Sequence, residues 1–232
     1  MWEQFQIYSN QFHMTPRLKI CCISNIEEAR LAIQYGASAI GLVSEMPSGP
    51  GVISEKHIAE IARIVPPGVA SFLLTSKQSA NAIIAQQQYT GVNTIQIVDR
   101  VETEVYGKLK KALPGIALVQ VIHVSGEQSL EEAKAVAPYV NALLLDSGNQ
   151  SLPVKELGGT GRVHDWKISR TIRDSVNIPV YLAGGINASN VIEAITQVLP
   201  FGIDVCSGIR TSGKLDEIKL KQLVLQIQTI SS

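Results

Sequence analysis

Several reactive side chains stand where short apolar runs of the sequence end. Asp146 closes the apolar run Ala142–Leu145, and Cys21 lies late in the run Leu18–Ile23. A carboxylate that ends an apolar strand needs a hydrogen-bonding partner, such as a loop that it caps, or a chemical task. A thiol in such a run is most often a small core residue, and it becomes reactive only when its thiolate is stabilised. Both residues are therefore candidates for a reactive site.

Glycine-bearing segments follow three later apolar runs. Glycine lets backbone N–H groups approach an anion closely, and the N-terminus of a following helix adds partial positive charge. Three such segments together predict binding of a small phosphorylated molecule. The candidate phosphate-binding residues are Gly159, Thr160, Gly161, Gly184, Gly185, Ser207 and Gly208.

The elements that must position these residues are eight short, β-branched runs that predict strands. The runs start roughly 21 to 38 residues apart, which is the spacing of strand-loop-helix units rather than of hairpins. Several are apolar on both faces, as expected for parallel strands covered on both sides. The predicted strands are Leu18–Ile23, Ala39–Val43, Ala70–Leu74, Thr94–Val98, Leu118–Val124, Ala142–Asp146, Val180–Ala183 and Ile203–Cys206.

Eight helical patterns alternate with the strands. Polar N-cap residues precede several of them, and glycine or proline ends most of them. Eight strands that alternate with eight helices predict a (β/α)8 TIM barrel, with a doubly wound open sheet as the alternative. The predicted helices are Ile26–Tyr35, Glu55–Ile64, Ala80–Gln88, Glu102–Ala112, Leu130–Val136, Lys167–Asp174, Val191–Leu199 and Glu217–Ile227.

The amino-acid composition excludes some classes of function. The 232 residues are 45% hydrophobic, and 20 Lys and Arg residues balance 20 Asp and Glu residues. A chain without net positive charge lacks the field that holds nucleic acid or an anionic membrane. No apolar run approaches the roughly 20 residues that span a bilayer, and the N-terminus does not resemble a secretory signal. We therefore expect a cytoplasmic protein that binds neither nucleic acid nor membrane.

The first 16 residues differ from the rest. Trp2, Phe5, Tyr8 and Phe12 recur at near-helical spacing before the first strand. We interpret residues 1–16 as an N-terminal extension and residues 17–232 as a single barrel domain. The extension either covers the lower face of the barrel or forms an oligomer contact.

The ordered set of motifs resembles the phosphoribosylanthranilate isomerase family from about Leu18 to the last helix. The order of the segments carries the resemblance more than any one of them. The segments are Lys19-Ile20-Cys21, Leu144-Leu145-Asp146, Gly159-Thr160-Gly161 with Asp165-Trp166, Leu182-Ala183-Gly184-Gly185-Ile186, and Asp204-Val205 with Ser207-Gly208.

The resemblance implies a TIM barrel that catalyses a step of tryptophan biosynthesis without a cofactor or metal. The reaction is the Amadori rearrangement of N-(5′-phosphoribosyl)anthranilate to the 1-deoxyribulose 5-phosphate. It implies Asp146 as the general acid and Cys21 as the general base, acting on a small phosphorylated substrate in a monomer or homodimer. His123, near the end of the fifth strand, is an alternative base.

Strand alternation adds a hypothesis about Lys19. Lys19 and Cys21 share one face of the first strand, with Lys19 one layer below, while Cys22 is expected to point outward and to be inert. We expect the Lys19 ammonium to support the Cys21 thiolate, with Asp204 as its buried partner across the barrel. Cys206 either borders the site or packs in the core.

Departures from the family pattern concentrate on the aromatic-acid half of the site. Cys22 replaces a glycine, the loop Ser48–Gly51 lacks the family's arginine, and of a Gln-Leu-His-Gly motif only Gln96 remains. Arg210, in place of a glutamate, or Arg162 is predicted to supply the missing cation. Two alternatives stay open: an isomerase or lyase acting on another phosphorylated aminosugar, and a non-catalytic barrel that binds a phosphometabolite.

Overall fold

A computed structural model describes residues 15–148 and 163–231, and in them eight parallel strands form a closed barrel. Each strand pairs with the next, and β8 pairs with β1 in the register Lys19 to Asp204. The predicted TIM barrel is confirmed, and the open-sheet alternative is wrong. The strands are β1 Arg17–Ile20, β2 Ala39–Val43, β3 Ala70–Thr75, β4 Thr94–Ile97, β5 Ala117–His123, β6 Ala142–Asp146, β7 Val180–Leu182 and β8 Gly202–Val205.

Eight α-helices follow the strands in the described residues, close to the predicted positions. Four of them begin after a side chain that accepts a backbone N–H group, such as Asn25 from Glu28 and Asp165 from Lys167. The helices are α1 Ile26–Gln34, α2 Glu55–Ala62, α3 Ala80–Thr90, α4 Thr103–Ala112, α5 Gln128–Val136, α6 Trp166–Ser175, α7 Val191–Val198 and α8 Glu217–Gln228.

The barrel has two cores, separated by the sheet. The outer core lies between strands and helices and is built largely from aliphatic residues such as Ile20, Leu143 and Leu145. The inner core lies inside the barrel and contains smaller and aromatic residues such as Ala39, Phe72 and Tyr181. Successive residues of a strand alternate between the two cores because their side chains point to opposite faces.

A short hairpin after β8 was not predicted from the sequence. Strands β9 (Arg210–Thr211) and β10 (Lys214–Leu215) pair antiparallel across a two-residue turn. Ser212 and Gly213 both have positive φ, as turns that match the twist of a hairpin require. The hairpin sets the position of Arg210.

Some sequence predictions concern residues that the structure does not describe. Residues 1–14 of the predicted extension and the loop 149–162 lie outside the described residues, so the division at residue 17 stays a prediction. None of the described helices is long and apolar enough to cross a membrane.

Candidate active site

A cavity that is open to solvent lies at the end of the barrel where the strands finish. This end carries the reactive residues of TIM-barrel enzymes. The lining residues are Cys21, Cys22, Val43, Met46, Ser48, Gly49, Pro50, Leu74, Gln96, Asp146, Ala183, Gly184, Gly185, Ile186, Asp204, Cys206 and Ser207.

Cys21 directly follows β1 and lies on the cavity wall. Its amide donates to the carbonyl of Val205 at 2.8 Å, so the backbone stays attached to β8 beyond the end of the strand. Gly41 on β2 leaves the space that the thiol occupies, because a Cβ at Gly41 would lie 2.8 Å from the Cys21 sulfur. The same Cβ would lie 3.1 Å from Lys19 Nζ. The sulfur and the ammonium nitrogen are therefore less than about 6 Å apart, close enough for a strong electrostatic interaction.

Lys19 and Asp204 form a buried ion pair beneath Cys21. Lys19 Nζ lies 2.9 Å from Asp204 Oδ2, and the lysine side chain is 0% exposed. Burial alone would lower the pKa of Lys19, but Asp204 raises it above its ordinary value, so the amine stays charged. Asp204 Oδ1 has no hydrogen-bond partner among the described residues. Asp204 comes from the neighbouring strand β8, so the expectation of a partner across the barrel was wrong, although the pairing itself forms.

Asp146 ends β6 on the wall of the same cavity. Its Oδ1 accepts the amide of Ser147 at 2.7 Å. His164 lies nearby, with Nε2 2.7 Å from Ser169 Oγ. Burial lowers the pKa of His164 although Asp146 raises it, so the imidazole is neutral at pH 7.

The loops after β7 and β8 place backbone amides beside the cavity. Gly184 and Gly185 both have positive φ, which favours glycine, and Asn190 Nδ2 holds the carbonyl of Gly185 at 3.0 Å. No hydrogen bond among the described residues uses the amides of Gly184, Gly185 or Ser207. Gly208 does not line the cavity but packs against the carbonyl of Ile186, which fixes one loop on the other. Gly159, Thr160 and Gly161 lie outside the described residues.

The opposite wall is largely apolar, and its polar side chains are Gln96 and Ser48. Val43, Met46 and Leu74 line it, and Gln96 is 3% exposed with an Oε1 atom that has no hydrogen-bond partner in the described part of the chain. Among the described lining residues there is no Lys or Arg. This wall can take a flat apolar group and offer it one amide.

Arg210 does not supply a cation to the cavity. Its guanidinium donates to the carbonyl of Cys22 at 2.6 Å and pairs with Glu28 at 3.1 Å. The hairpin turns Arg210 to the back of the loop after β1, so the prediction that it replaces the missing arginine was wrong. Arg162, the other predicted replacement, lies outside the described residues.

Of the other two cysteines, Cys22 differs from expectation, whereas Cys206 follows one of its two expected placements. Cys22 lies on the cavity wall instead of facing a helix, because its φ of 62° ends the strand alternation. A side chain in this conformation is strained, which explains why glycine suits the position. Cys206 also lines the cavity.

Two glycines that shape the cavity were not predicted from the sequence, and one candidate base, His123, lies outside the cavity. Gly41 makes room for Cys21 and Lys19, and Gly51 packs against Cys22. A glycine inside a buried strand, as at position 41, is the signal for such a close approach. His123 is not a lining residue, and its Nε2 lies 2.9 Å from the carbonyl of Val98.

Comparisons with known proteins agree with one another. The family model described as N-(5′-phosphoribosyl)anthranilate (PRA) isomerase matches residues 18–226. N-(5′-phosphoribosyl)anthranilate isomerase 2 of Methanosarcina mazei is 37% identical over 90% of this chain and 92% of its own. The isomerase of Methanocella arvoryzae is 30% identical over 91% of this chain and 98% of its own.

Two solved structures share the fold closely. The phosphoribosyl anthranilate isomerase of Thermotoga maritima superposes with a TM-score of 0.79 at 28% identity, covering 92% of this chain and 99% of its own. An isomerase in complex with reduced 1-(o-carboxyphenylamino)-1-deoxyribulose 5-phosphate superposes with a TM-score of 0.77 at 27% identity, over the same shares.

Proposed function

The chain belongs to the N-(5′-phosphoribosyl)anthranilate isomerase family, and from that premise we propose that Cys21 and Asp146 carry out its proton transfers. The protein is an isomerase of tryptophan biosynthesis that converts N-(5′-phosphoribosyl)anthranilate to 1-(2-carboxyphenylamino)-1-deoxyribulose 5-phosphate. The observation that carries the assignment is that a thiol and a carboxyl group lie on the wall of one cavity at the ends of β1 and β6.

The reaction needs an acid and a base but no external reductant or oxidant. Asp146, protonated, gives its proton to the ring oxygen, the bond from C1′ to that oxygen breaks, and the anthranilate nitrogen forms a Schiff base with C1′. The Cys21 thiolate then takes the proton from C2′, which leaves an enolamine. The enolamine relaxes to the ketone as C1′ gains a proton and the C2′ hydroxyl group loses one, so substrate and product have the same formula.

Lys19 assists Cys21 without touching the substrate. Its ammonium group lies close below the thiol, is buried, and stays charged because of Asp204. A buried positive charge at this distance interacts strongly with charge that develops on the sulfur during proton transfer. Lys19 and Asp204 are therefore positioning residues in this proposal.

The two ends of the substrate fit different walls. The phosphate lies against the unengaged amides of Gly184, Gly185 and Ser207, where backbone N–H groups serve as donors. The aromatic ring lies against the apolar wall, with Gln96 as the polar contact. The monomer or homodimer and the cytoplasmic location remain predictions from the sequence.

Substitution of each proposed catalytic residue tests the assignment. We expect Cys21→Ala and Asp146→Asn each to lower kcat by about 10²- to 10⁴-fold, the usual worth of a general acid or base. Binding of a reduced product analogue, measured by calorimetry, should change little. Asp165→Asn is the matched control, because an asparagine caps helix α6 about as well as an aspartate does. If either variant keeps more than about a tenth of the wild-type kcat, that residue has no proton-transfer role.

A further inference from the structure

All three cysteines of the chain meet at one place, although they come from opposite ends of the sequence. Cys21, Cys22 and Cys206 line the cavity, and none of them is in a disulfide. They meet because β1 and β8 are neighbours in the closed barrel. Among the described residues, no group of three or more His, Cys, Asp or Glu side chains is arranged to hold a metal ion.

The register places Cys206 beside the residues that follow β1. Ile20 pairs with Val205, and the hydrogen bond from the Cys21 amide to the Val205 carbonyl extends this pairing by one residue. Neighbouring strands lie about 4.8 Å apart, and the Cα atoms of a disulfide lie about 4.4 to 6.8 Å apart. In its left-handed conformation, the Cys22 side chain lies on the wall of the cavity that Cys206 also lines.

The two thiols have opposite tendencies to ionise. The interaction between the two thiols raises the pKa of Cys22 and lowers the pKa of Cys206, which the Arg210 guanidinium lowers further against the effect of burial. Cys206 therefore carries more thiolate than an ordinary cysteine, and Cys22 stays a thiol. Cys206 is also partly exposed, whereas Cys22 is buried. An exposed thiolate beside a buried thiol is the arrangement in which an oxidised cysteine is resolved by a neighbour.

We propose that Cys206 and Cys22 form a redox-sensitive pair that a hydroperoxide converts to a disulfide across the cavity mouth. The Cys206 thiolate attacks one oxygen of the hydroperoxide, the O–O bond breaks, and Cys206 becomes a sulfenic acid while hydroxide or alkoxide leaves. The Cys22 sulfur then attacks the Cys206 sulfur, the S–O bond breaks, and water leaves with the Cys22 proton. One peroxide is reduced and two thiols are oxidised.

A disulfide between the adjacent Cys21 and Cys22 fits less well. Their Cα atoms are about 3.8 Å apart, shorter than the separation in ordinary disulfides. Cys21 is also held in the space beside Gly41, close to Lys19. The geometry therefore pairs Cys22 with Cys206 and leaves Cys21 free.

The disulfide would alter the wall that binds substrate. Cys22 Sγ now lies 3.7 Å from the carbonyl of Pro50, and a Cβ on Gly51 would lie 2.5 Å from Cys22 Cβ. Drawing the sulfur toward Cys206 breaks the contact with Pro50 and loosens the loop after β2. Loss of turnover as a result rests on the proposed function, whereas formation of the disulfide does not.

Peptide mapping of the peroxide-treated full-length chain tests the pair. The reduced protein is treated with hydrogen peroxide, its free thiols are blocked with iodoacetamide, and its non-reduced digest is analysed by mass spectrometry. We expect a linked peptide that joins Cys22 to Cys206 and is two hydrogens lighter than the two thiol peptides. A dithiol should reverse the link. In Cys21→Ser the same link should form, which shows that the catalytic thiol is not needed for it.

Two single variants separate the steps. In Cys22→Ser, dimedone should trap a sulfenic acid at Cys206, and in Cys206→Ser the link should disappear. A link through Cys21, a first dimedone adduct on Cys21 or Cys22, or no link at all would overturn the proposal. Turnover is followed in parallel: reversible loss of activity in step with the link supports regulation. A link without any loss of activity overturns the regulatory role alone, and a link in a chain without basal turnover contradicts only the proposed function.

Discussion

The two cores of the barrel differ in composition, although the same strands build both. On β6, Leu143 and Leu145 face the outer core, whereas Leu144 and Asp146 belong to the inner face. The outer core is largely aliphatic and is covered by helices on its far side. The inner core supports a buried ion pair and three cysteines near its upper end. The difference indicates that both cores stabilise the barrel but that the inner core alone positions the chemistry.

Breaking the ion pair between Lys19 and Asp204 is expected to have the largest effect on the free energy of unfolding. Lys19→Met leaves Asp204 charged and buried without a partner, and we expect the free energy of unfolding to fall by about 3–5 kcal/mol. Adding Asp204→Leu should recover most of the loss, because an apolar pair avoids the cost of an unpaired charge. Chemical denaturation of the three proteins measures both effects.

The double variant Lys19→Met, Asp204→Leu also tests whether the Lys19 ammonium group stabilises the Cys21 thiolate. With the fold restored and the positive charge removed, we expect alkylation of Cys21 by iodoacetamide at neutral pH to be roughly tenfold slower, as read by peptide mapping. An unchanged alkylation rate would show that Lys19 has only a structural role.

Substitutions of two neighbouring leucines on β6 allow a direct comparison of the two cores. Leu143→Ala should lower the free energy of unfolding by about 3 kcal/mol and leave kcat unchanged, because Leu143 is fully buried in the outer core. Leu144→Ala should lower the free energy of unfolding by a similar amount and also lower kcat, since the void that it creates lies on the inner face beneath Asp146. Equal kcat values for the two variants would remove the distinction between the cores.

Gly41 tests how tightly the inner core holds the thiol. Gly41→Ala places a methyl group 2.8 Å from the Cys21 sulfur, and we expect kcat to fall about a hundredfold, near 2.7 kcal/mol. Gly107→Ala is the control: this glycine lies within helix α4 with nothing within 4 Å of its Cβ position. The control should gain about 0.5–1 kcal/mol of stability and keep its kcat.

Removing the ion pair between Glu28 and Arg210 is expected to have the smallest effect on the free energy of unfolding, and this effect should depend on pH. Hydrogen bonds from Arg210 lower the pKa of Glu28 despite its burial, so the carboxylate contributes stability above its usual pKa of 4.5 and loses it as the pH falls below that value. We expect Glu28→Gln to cost about 2 kcal/mol at pH 7 and the difference from wild type to shrink below pH 4.5.

An exposed ion pair serves as the control for Glu28. Glu131→Gln breaks the contact with Lys134, and we expect it to cost less than about 0.5 kcal/mol at any pH, because both side chains are exposed. A loss of equal size in the two variants would contradict the role of burial. A constant difference between wild type and Glu28→Gln from pH 7 to pH 3 would contradict the role of the Glu28 charge.

The sequence predicts those features that depend on local pattern. Alternation of strands and helices indicates the barrel, and strand parity places Lys19 and Asp204 on the inner face. Features that depend on contacts distant in sequence are not predictable in this way. The left-handed φ of Cys22 reverses the expected direction of its side chain, and the unpredicted hairpin turns Arg210 to Glu28 instead of to the cavity.

The meeting of β1 with β8 has a consequence for the order in which the molecule matures. Lys19 appears early during synthesis, but its partner Asp204 lies about 185 positions later in the chain. Until that last strand leaves the ribosome, the lysine has no counterion and the thiol above it has no neighbouring edge to hold its backbone. A nascent chain therefore gains its catalytic competence only after β8 has been synthesised, when the first and last strands of the barrel join.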